Sequence, residues 1–334
     1  MTNTGDVVEL TARMMEIDST SGREGQLVDW LENYLSGAEW RVTRIPVTQG
    51  RDDLVATCVD RPQVTLSTHL DTVPPFIPPR LERDVLWGRG ACDAKGIAAA
   101  MILAADRLRA DRVPVALLFV VGEEVTHDGA VAANRVATTS QVLINGEPTE
   151  STLSVGTKGA MRFTLRTRGQ AAHSAYPHLG RSAIADLVRL LAELEQLRLP
   201  DDAQLGQTTI NVGGIEGGVA DNVIAPSAEA RLMARLVTPS GDLERLLRDW
   251  IGDRAEFERG ITVELARLGT LAGFPTSVAA YATDIPKLSN WGTPYLFGPG
   301  SIHVAHRDDE HVRVDELRRA VDAYVRIATL AVQR

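Results

Sequence analysis

The 334-residue chain has two cysteines, Cys58 and Cys92. Neither lies in a CxxC pair, so no disulfide framework is expected, and a reducing, cytoplasmic location is favoured. Long hydrophobic runs are also missing. The longest, from Val113 to Val121, is too short to cross a bilayer, and the amino-terminal MTNTGDVVELTARMMEI lacks the basic-then-apolar pattern of a signal peptide. No cluster of lysine and arginine marks a nucleic-acid footprint. The net charge of −9 calls for no explanation beyond solubility. Internal repeats and low-complexity tracts are absent. These absences leave a soluble globular protein with neither a membrane nor a nucleic acid as partner.

With 44% hydrophobic and 24% charged residues, the chain has ample core, and its length exceeds one typical domain. The first third alternates helical and strand patterns: a helix over 6–17, a capping-box-like Ser21-Gly22-Arg23-Glu24 before a second helix, strands over 40–47, 54–59 and 64–68, an alanine-rich helix over 96–108, and the continuously apolar 113–121 expected of a central strand. A short strand over 141–145 completes an α/β pattern. After about Gly156 the order becomes strand, helix, two strands, helix, strand: 161–168, 181–197, 207–212, 228–237, 241–251 and 261–268. A strand over 294–297, a motif loop and a final helix over 314–332 follow. The expected architecture is an α/β domain, residues 1–157 and 269–334, with a central, mostly parallel sheet flanked by helices, interrupted by a small α+β domain over 158–268.

Acidic and imidazole side chains stand at the ends of the apolar runs, where ionisable groups are costly unless compensated. They are His69 and Asp71 in HLD, Asp93 in GRGACDAKG, Glu123-Glu124 after VALLFVV, Glu147 in INGEP, and a histidine in GPGSIHVAHRDDE. Two divalent cations would compensate them together and make the protein a metal-dependent hydrolase. A carboxylate beside His69 can hold its second ring nitrogen. Asp93 precedes a helix and suits either a cap or a bridge between two cations. The adjacent Glu123 and Glu124 repel each other, and their divergent directions let one bind metal while the other serves as general base. Glu147 falls where a parallel sheet presents ligands. Spacing alone does not choose among His303, His306 and His311. His127 and Asp128 receive no chemical role. His173, in the inserted domain, is structural by default, with Tyr176, His178 and Arg181 beside it on the surface.

The succession HLDTVP, GRGACDAKG, EE, GEP, a histidine-serine pair and GPGS…AHxxDE resembles the M20 family of metallopeptidases and deacylases over nearly the whole chain, from about Ser19 to the last helix. Within that family the motifs resemble those of the acetylornithine deacetylases and succinyl-diaminopimelate desuccinylases. The resemblance implies a di-zinc exopeptidase-like catalytic domain with a ferredoxin-like lid that also forms a homodimer. It assigns His69, Asp93, Glu124, Glu147 and His306 to two divalent ions, zinc first, with cobalt or manganese as alternatives. It makes Asp71 the orienting group for His69, Glu123 the general base, and His173 of the partner subunit an oxyanion donor. Asn222 and Arg235 match substrate-carboxylate positions, with Arg231 as a competitor because the Asn222–Pro226 segment runs one residue longer than the usual pattern. Gly300 and Ser301 offer further donors.

The activity implied is removal of an N-acyl group from an amino acid. It would be acetylornithine deacetylase-like, in arginine biosynthesis, because of the GPGSIxxAHxxDE segment. Alternatives are a succinyl-diaminopimelate desuccinylase, a hydrolase releasing carrier-bound lysine or ornithine, and a di- or tripeptidase. A catalytically silent binding homologue is disfavoured by the retention of Glu123 beside every expected ligand.

Overall fold

The computed structural model describes residues 6–333; the first five residues of the stretch read for a leader, and Arg334, lie outside them. The chain forms two compact units. The first comprises Met1–Val155, Leu268–Ser277 and Thr283–Arg334, and the second Gly156–Arg267 and Val278–Ala282. No helix among the described residues is long and apolar enough to cross a membrane.

The first unit is built on a six-stranded sheet. Val115–Val120 and Val142–Asn145 flank Val64–His69 in parallel, and Thr293–Leu296 extends the parallel set. Arg51–Thr57 joins Val115–Val120 antiparallel, with Arg41–Thr48 beyond it at the edge. The unbroken apolar run at 115–120 is explained by burial on both faces. Leu117 and Phe119 enter one core with the helices Val7–Met15, Lys95–Ala110 and Val314–Val332. Leu118 and Val120 enter a smaller core with Ala130, Ala133, Leu288 and Trp291 on the other face. Short side chains at Ala98, Ala99, Ala100, Ala104 and Ala105 let most of the Lys95–Ala110 helix sit buried within the larger core, with Arg107 and Ala110 exposed at its end. The carboxyl ends of the parallel strands therefore open on one edge of the sheet. His69 ends its strand there, and Glu123-Glu124, Glu147 and the 298–301 turn follow theirs.

The expected capping box does not form. The Gly25–Gly37 helix is capped by Glu24 with no side-chain hydrogen bond. Ser21 Oγ donates to Asp71 Oδ2 (2.8 Å) and the Glu24 carboxylate pairs with Arg51. Both side chains are drawn into tertiary contacts that local spacing does not reveal.

The second unit is a four-stranded antiparallel sheet in the order Thr209–Gly217, Ser227–Leu236, Gly159–Arg168, Glu256–Val263. With the helices Ala183–Leu194 and Ser240–Ile251 it has ferredoxin-like β-α-β-β-α-β order. Period-2 alternation sends Met161, Phe163, Leu165, Ala230, Leu232 and Ala234 into one core, against the apolar stripes of the two helices. The opposite face carries arginines, among them Arg162, Arg231 and Arg235. The last strand lies earlier than the expected 261–268. Its Glu256–Arg259 half is an exposed edge, so no apolar alternation marked it.

Candidate active site

At the strand-end edge of the first unit, His69 is buried, with Nε2 3.0 Å from Asp93 Oδ1. Its Nδ1 lies 2.9 Å from the backbone carbonyl of Asp71 and 3.5 Å from that residue's carboxylate. A carbonyl only accepts, so Nδ1 carries the proton and donates to it. Asp71 lies beyond the end of the strand, and its carboxylate has other work. It accepts from the backbone N–H groups of Glu123 (3.0 Å) and Glu124 (3.2 Å) and from Ser21 Oγ. Asp71 thus fixes the turn that presents both glutamates.

Asp93 is 4% exposed. The helix after it is capped by Ala94, not by the Asp93 side chain. Its loop is gripped from the carboxyl-terminal motif: Glu310 Oε1 accepts from the backbone N–H groups of Gly90 (2.9 Å) and Asp93 (3.2 Å). His306 reaches the same place, with Nε2 3.2 Å from Asp93 Oδ2 and 3.0 Å from Glu124 Oε1. His311 instead packs at a tilt against Trp87 and His303 is exposed. At Gly300 the backbone is left-handed (φ 79°) and a Cβ would sit 2.4 Å from Cys92 Cβ, so the turn requires glycine. Ser301 Oγ donates to Glu150 Oε1 at 2.7 Å.

Ligand atoms of His69, Asp93 and Glu124 all lie within 4.8 Å of one another. The cluster is short of positive charge, and its titration shows it. Burial, then repulsion by Glu147, pushes the Glu123 carboxyl well up. Burial and Asp93 raise Glu124; burial also raises Glu147, against the pull of His69 and with Asp93. Hydrogen bonds to Asp93 and Glu124 push His306 up to about 10. Burial works against charge on His69, yet the Asp71 and Asp93 carboxylates outweigh it and raise it well above the usual range. Imidazole and carboxylate donors held together in this way suit divalent zinc-like ions.

Three residues to which the sequence assigned nothing stand in or beside this centre. His127 Nδ1 lies 2.8 Å from Asp284 Oδ1 and 3.7 Å from Glu123 Oε1. Asp284 is 157 positions away in sequence and sits in no recognisable motif. Asp53, buried beneath the 121–129 turn, accepts from Val121 N–H at 3.0 Å. The buried, acidic character of both aspartates was the only available signal, and it is visible only once burial is known.

The remaining sequence candidates belong to the second unit. His173 is exposed, its Nδ1 accepting from Ala175 N–H (3.1 Å), and the Asn222 carbonyl accepts from Ser174 N–H (2.9 Å), so these two segments are neighbours. Arg231 is paired with Glu216 at 3.0 Å. Arg235 has no acidic partner among the described residues, and burial followed by repulsion from Arg162 lowers its pKa.

A family model described as a peptidase dimerisation domain matches residues 155–256. A peptidase M20 domain-containing protein of Schizosaccharomyces pombe is 37% identical over 340 residues, covering 96% of this chain and 84% of that protein. A probable carboxypeptidase of Aspergillus clavatus is 34% identical over 379 residues, covering 99% and 84%. Among solved structures, a tripeptidase from Staphylococcus aureus superposes with a TM-score of 0.83 at 17% identity, covering 98% of each chain. An M20 family metallo-carboxypeptidase from Sulfolobus solfataricus does so with a TM-score of 0.77 at 16% identity, covering 99% of this chain and 100% of that one. These structures share the fold.

Proposed function

The chain belongs to the M20 peptidase family, and on that footing we propose that it is a metal-dependent hydrolase of the amide bond between an acyl group and a small amino acid bearing a free carboxylate. The observation that carries this reading is a nearly buried carboxyl, Glu123, next to a compact histidine–carboxylate set. His69, Asp93, Glu124, Glu147 and His306 are the residues that would hold two divalent cations, zinc first. Such ions, when bound, polarise the scissile carbonyl and acidify water.

The chain's own residues supply the rest. Asp71 holds the backbone N–H groups of Glu123 and Glu124. The Asp71 carbonyl accepts from His69 Nδ1, which leaves Nε2 as that ring's ligand atom. Glu123 takes a proton from the attacking water and delivers it to the leaving amine. His173, supplied by the partner of a homodimer, steadies the oxyanion; the matched dimerisation domain supports that assembly. For the substrate carboxylate, each unit offers its own candidates: Asn222 and Arg235 on the inserted unit, and the Gly300–Ser301 turn on the first. Arg235 is favoured over Arg231 because it is partly buried and has no acidic partner among the described residues, whereas Arg231 is paired with Glu216. The two cysteines, both free, support a cytoplasmic enzyme.

For the acyl group, the relatives described as probable carboxypeptidases favour a short peptide, whereas the GPGSIxxAHxxDE segment favours N-acetylornithine. The scissile bond is the same in both. The deciding experiment strips the protein with a chelator, restores zinc, cobalt or manganese, and measures amine release from N-acetylornithine, N-succinyl-diaminopimelate and a set of di- and tripeptides. Metal-dependent release from at least one class is expected. Glu123→Gln should keep its metal while losing about 10²–10⁴ in rate. No release from any of them, or a Glu123→Gln protein nearly as fast as the parent, defeats the proposal.

A further inference from the structure

We infer that His127, oriented by Asp284, is the positioning residue for the Glu123 carboxylate. This rests on the reading of Glu123 as the base. Among the described residues, no side chain hydrogen-bonds the Glu123 carboxylate, although a base must present one oxygen in a defined direction. The group facing its Oε1 is His127 Nδ1, 3.7 Å away, and that nitrogen is 2.8 Å from Asp284 Oδ1. All three ligand-type atoms lie within 4.8 Å of one another. Asp284 is 1% exposed, and its Oδ2 has no hydrogen-bond partner. A buried carboxylate in that condition holds an N–H donor strongly, so the imidazole is kept in place with Nδ1 3.7 Å from Glu123 Oε1 and limits where that oxygen can go.

The backbone is built for this placement. His127 has left-handed dihedrals (φ 56°, ψ 22°), which few side chains adopt without cost. Its N–H donates to the Gly122 carbonyl at 2.7 Å. The next residue, Asp128, is tied to Arg51 at 2.8 Å, and Arg51 in turn binds the fully buried Glu24. The turn that follows Glu123 and Glu124 therefore folds back and returns a ring nitrogen beside the first of them. Neither His127 nor Asp284 is among the residues assigned to metal.

Asparagine is the informative replacement. It tolerates the left-handed region, and its side-chain amide can place an N–H close to where Nδ1 stands. The test uses the metal-loaded, full-length protein and its His127→Ala, His127→Asn and Asp284→Asn variants. Crystal structures are expected to show the Glu123 carboxylate displaced or spread over several rotamers in His127→Ala and Asp284→Asn, with Asp93, Glu124 and His306 unmoved. In His127→Asn the carboxylate should keep its place. Kinetically, His127→Ala should lose about tenfold or more in kcat with KM and metal content unchanged, and His127→Asn should recover most of it. An unmoved Glu123 carboxylate in both His127→Ala and Asp284→Asn overturns the inference, as does an equal loss in the alanine and asparagine variants of His127. If the parent protein hydrolyses nothing, the functional reading fails, and the crystallographic comparison still decides the role of His127.

Discussion

Arg89 and Glu310 form an ion pair at 2.6 Å, with the two side chains 1% and 0% exposed. Glu310 Oε2 takes the guanidinium, while Oε1 takes the backbone N–H groups of Gly90, Cys92 and Asp93. One carboxylate thus locks the Asp93 loop to the segment that carries His306. Glu310 sits four residues after His306, and the 298–301 turn packs on Cys92, so two distant motifs are presented as one rigid body.

Glu310→Ala leaves a buried arginine and three N–H groups without their acceptor. The expected loss of stability is about 3–5 kcal/mol, the range seen when one partner of a buried ion pair is removed. Glu310→Gln, which keeps an acceptor for the N–H groups, should lose less. Chemical denaturation of both variants checks this. The same measurements should show metal retention falling in the alanine variant, because Asp93 is no longer held beside His69.

Stability should also depend on pH through Asp53. Burial, opposed by the Val121 hydrogen bond and helped by Asp284, pushes its carboxyl up to about 8. A folded-state value above the unfolded one means that the folded protein binds the extra proton. No penalty exists below about pH 4; it grows as pH rises toward 8 and levels off above it. The slope from this one group is at most about 1.4 kcal/mol per pH unit. Asp53→Asn keeps an acceptor for Val121 N–H and removes the titration. Its stability relative to the parent should therefore rise steadily between pH 5 and pH 8. A constant difference across that range would show that Asp53 does not titrate there.

On the inserted unit, the two candidate arginines should separate cleanly. Arg231 already has Glu216 and is exposed. Arg231→Ala should leave KM within about twofold. Arg235→Ala should raise KM by about tenfold or more, the effect of one lost charge-assisted contact, with metal content unchanged. Reversal of this order would transfer the carboxylate-binding role to Arg231.

Much of the architecture was legible because it follows period. The unbroken apolar stretch at 115–120 and the alternation at 161–165 each report how many faces are covered, and helix stripes such as Leu187, Leu190 and Leu194 report one core-facing side. What failed was what period does not carry. The exposed edge at Glu256–Arg259 looks like a charged loop. Ser21 and Glu24 have capping-box spacing but serve Asp71 and Arg51 instead. The acidic and imidazole residues of the centre were conspicuous because ionisable groups at the ends of apolar runs need an explanation. His127 and Asp284 were inconspicuous, being ordinary residues in turns far apart in the chain.

Strand periods, helix faces and the strand-end positions of His69, Glu123, Glu124 and Glu147 were settled by the amino-acid order, since each depends only on neighbours a few residues away. Spacing left the choice among three carboxyl-terminal histidines open, and only the resemblance selected His306; that Asp71 holds backbone amides while its carbonyl takes the His69 proton, and that Asp284 stands behind His127, were settled by folding alone. Those pairings depend on strand order and on which loops rise from the same edge of the sheet. Charges brought within 3 Å of one another by that edge respond to burial and to each other, and neither quantity exists until the chain is folded.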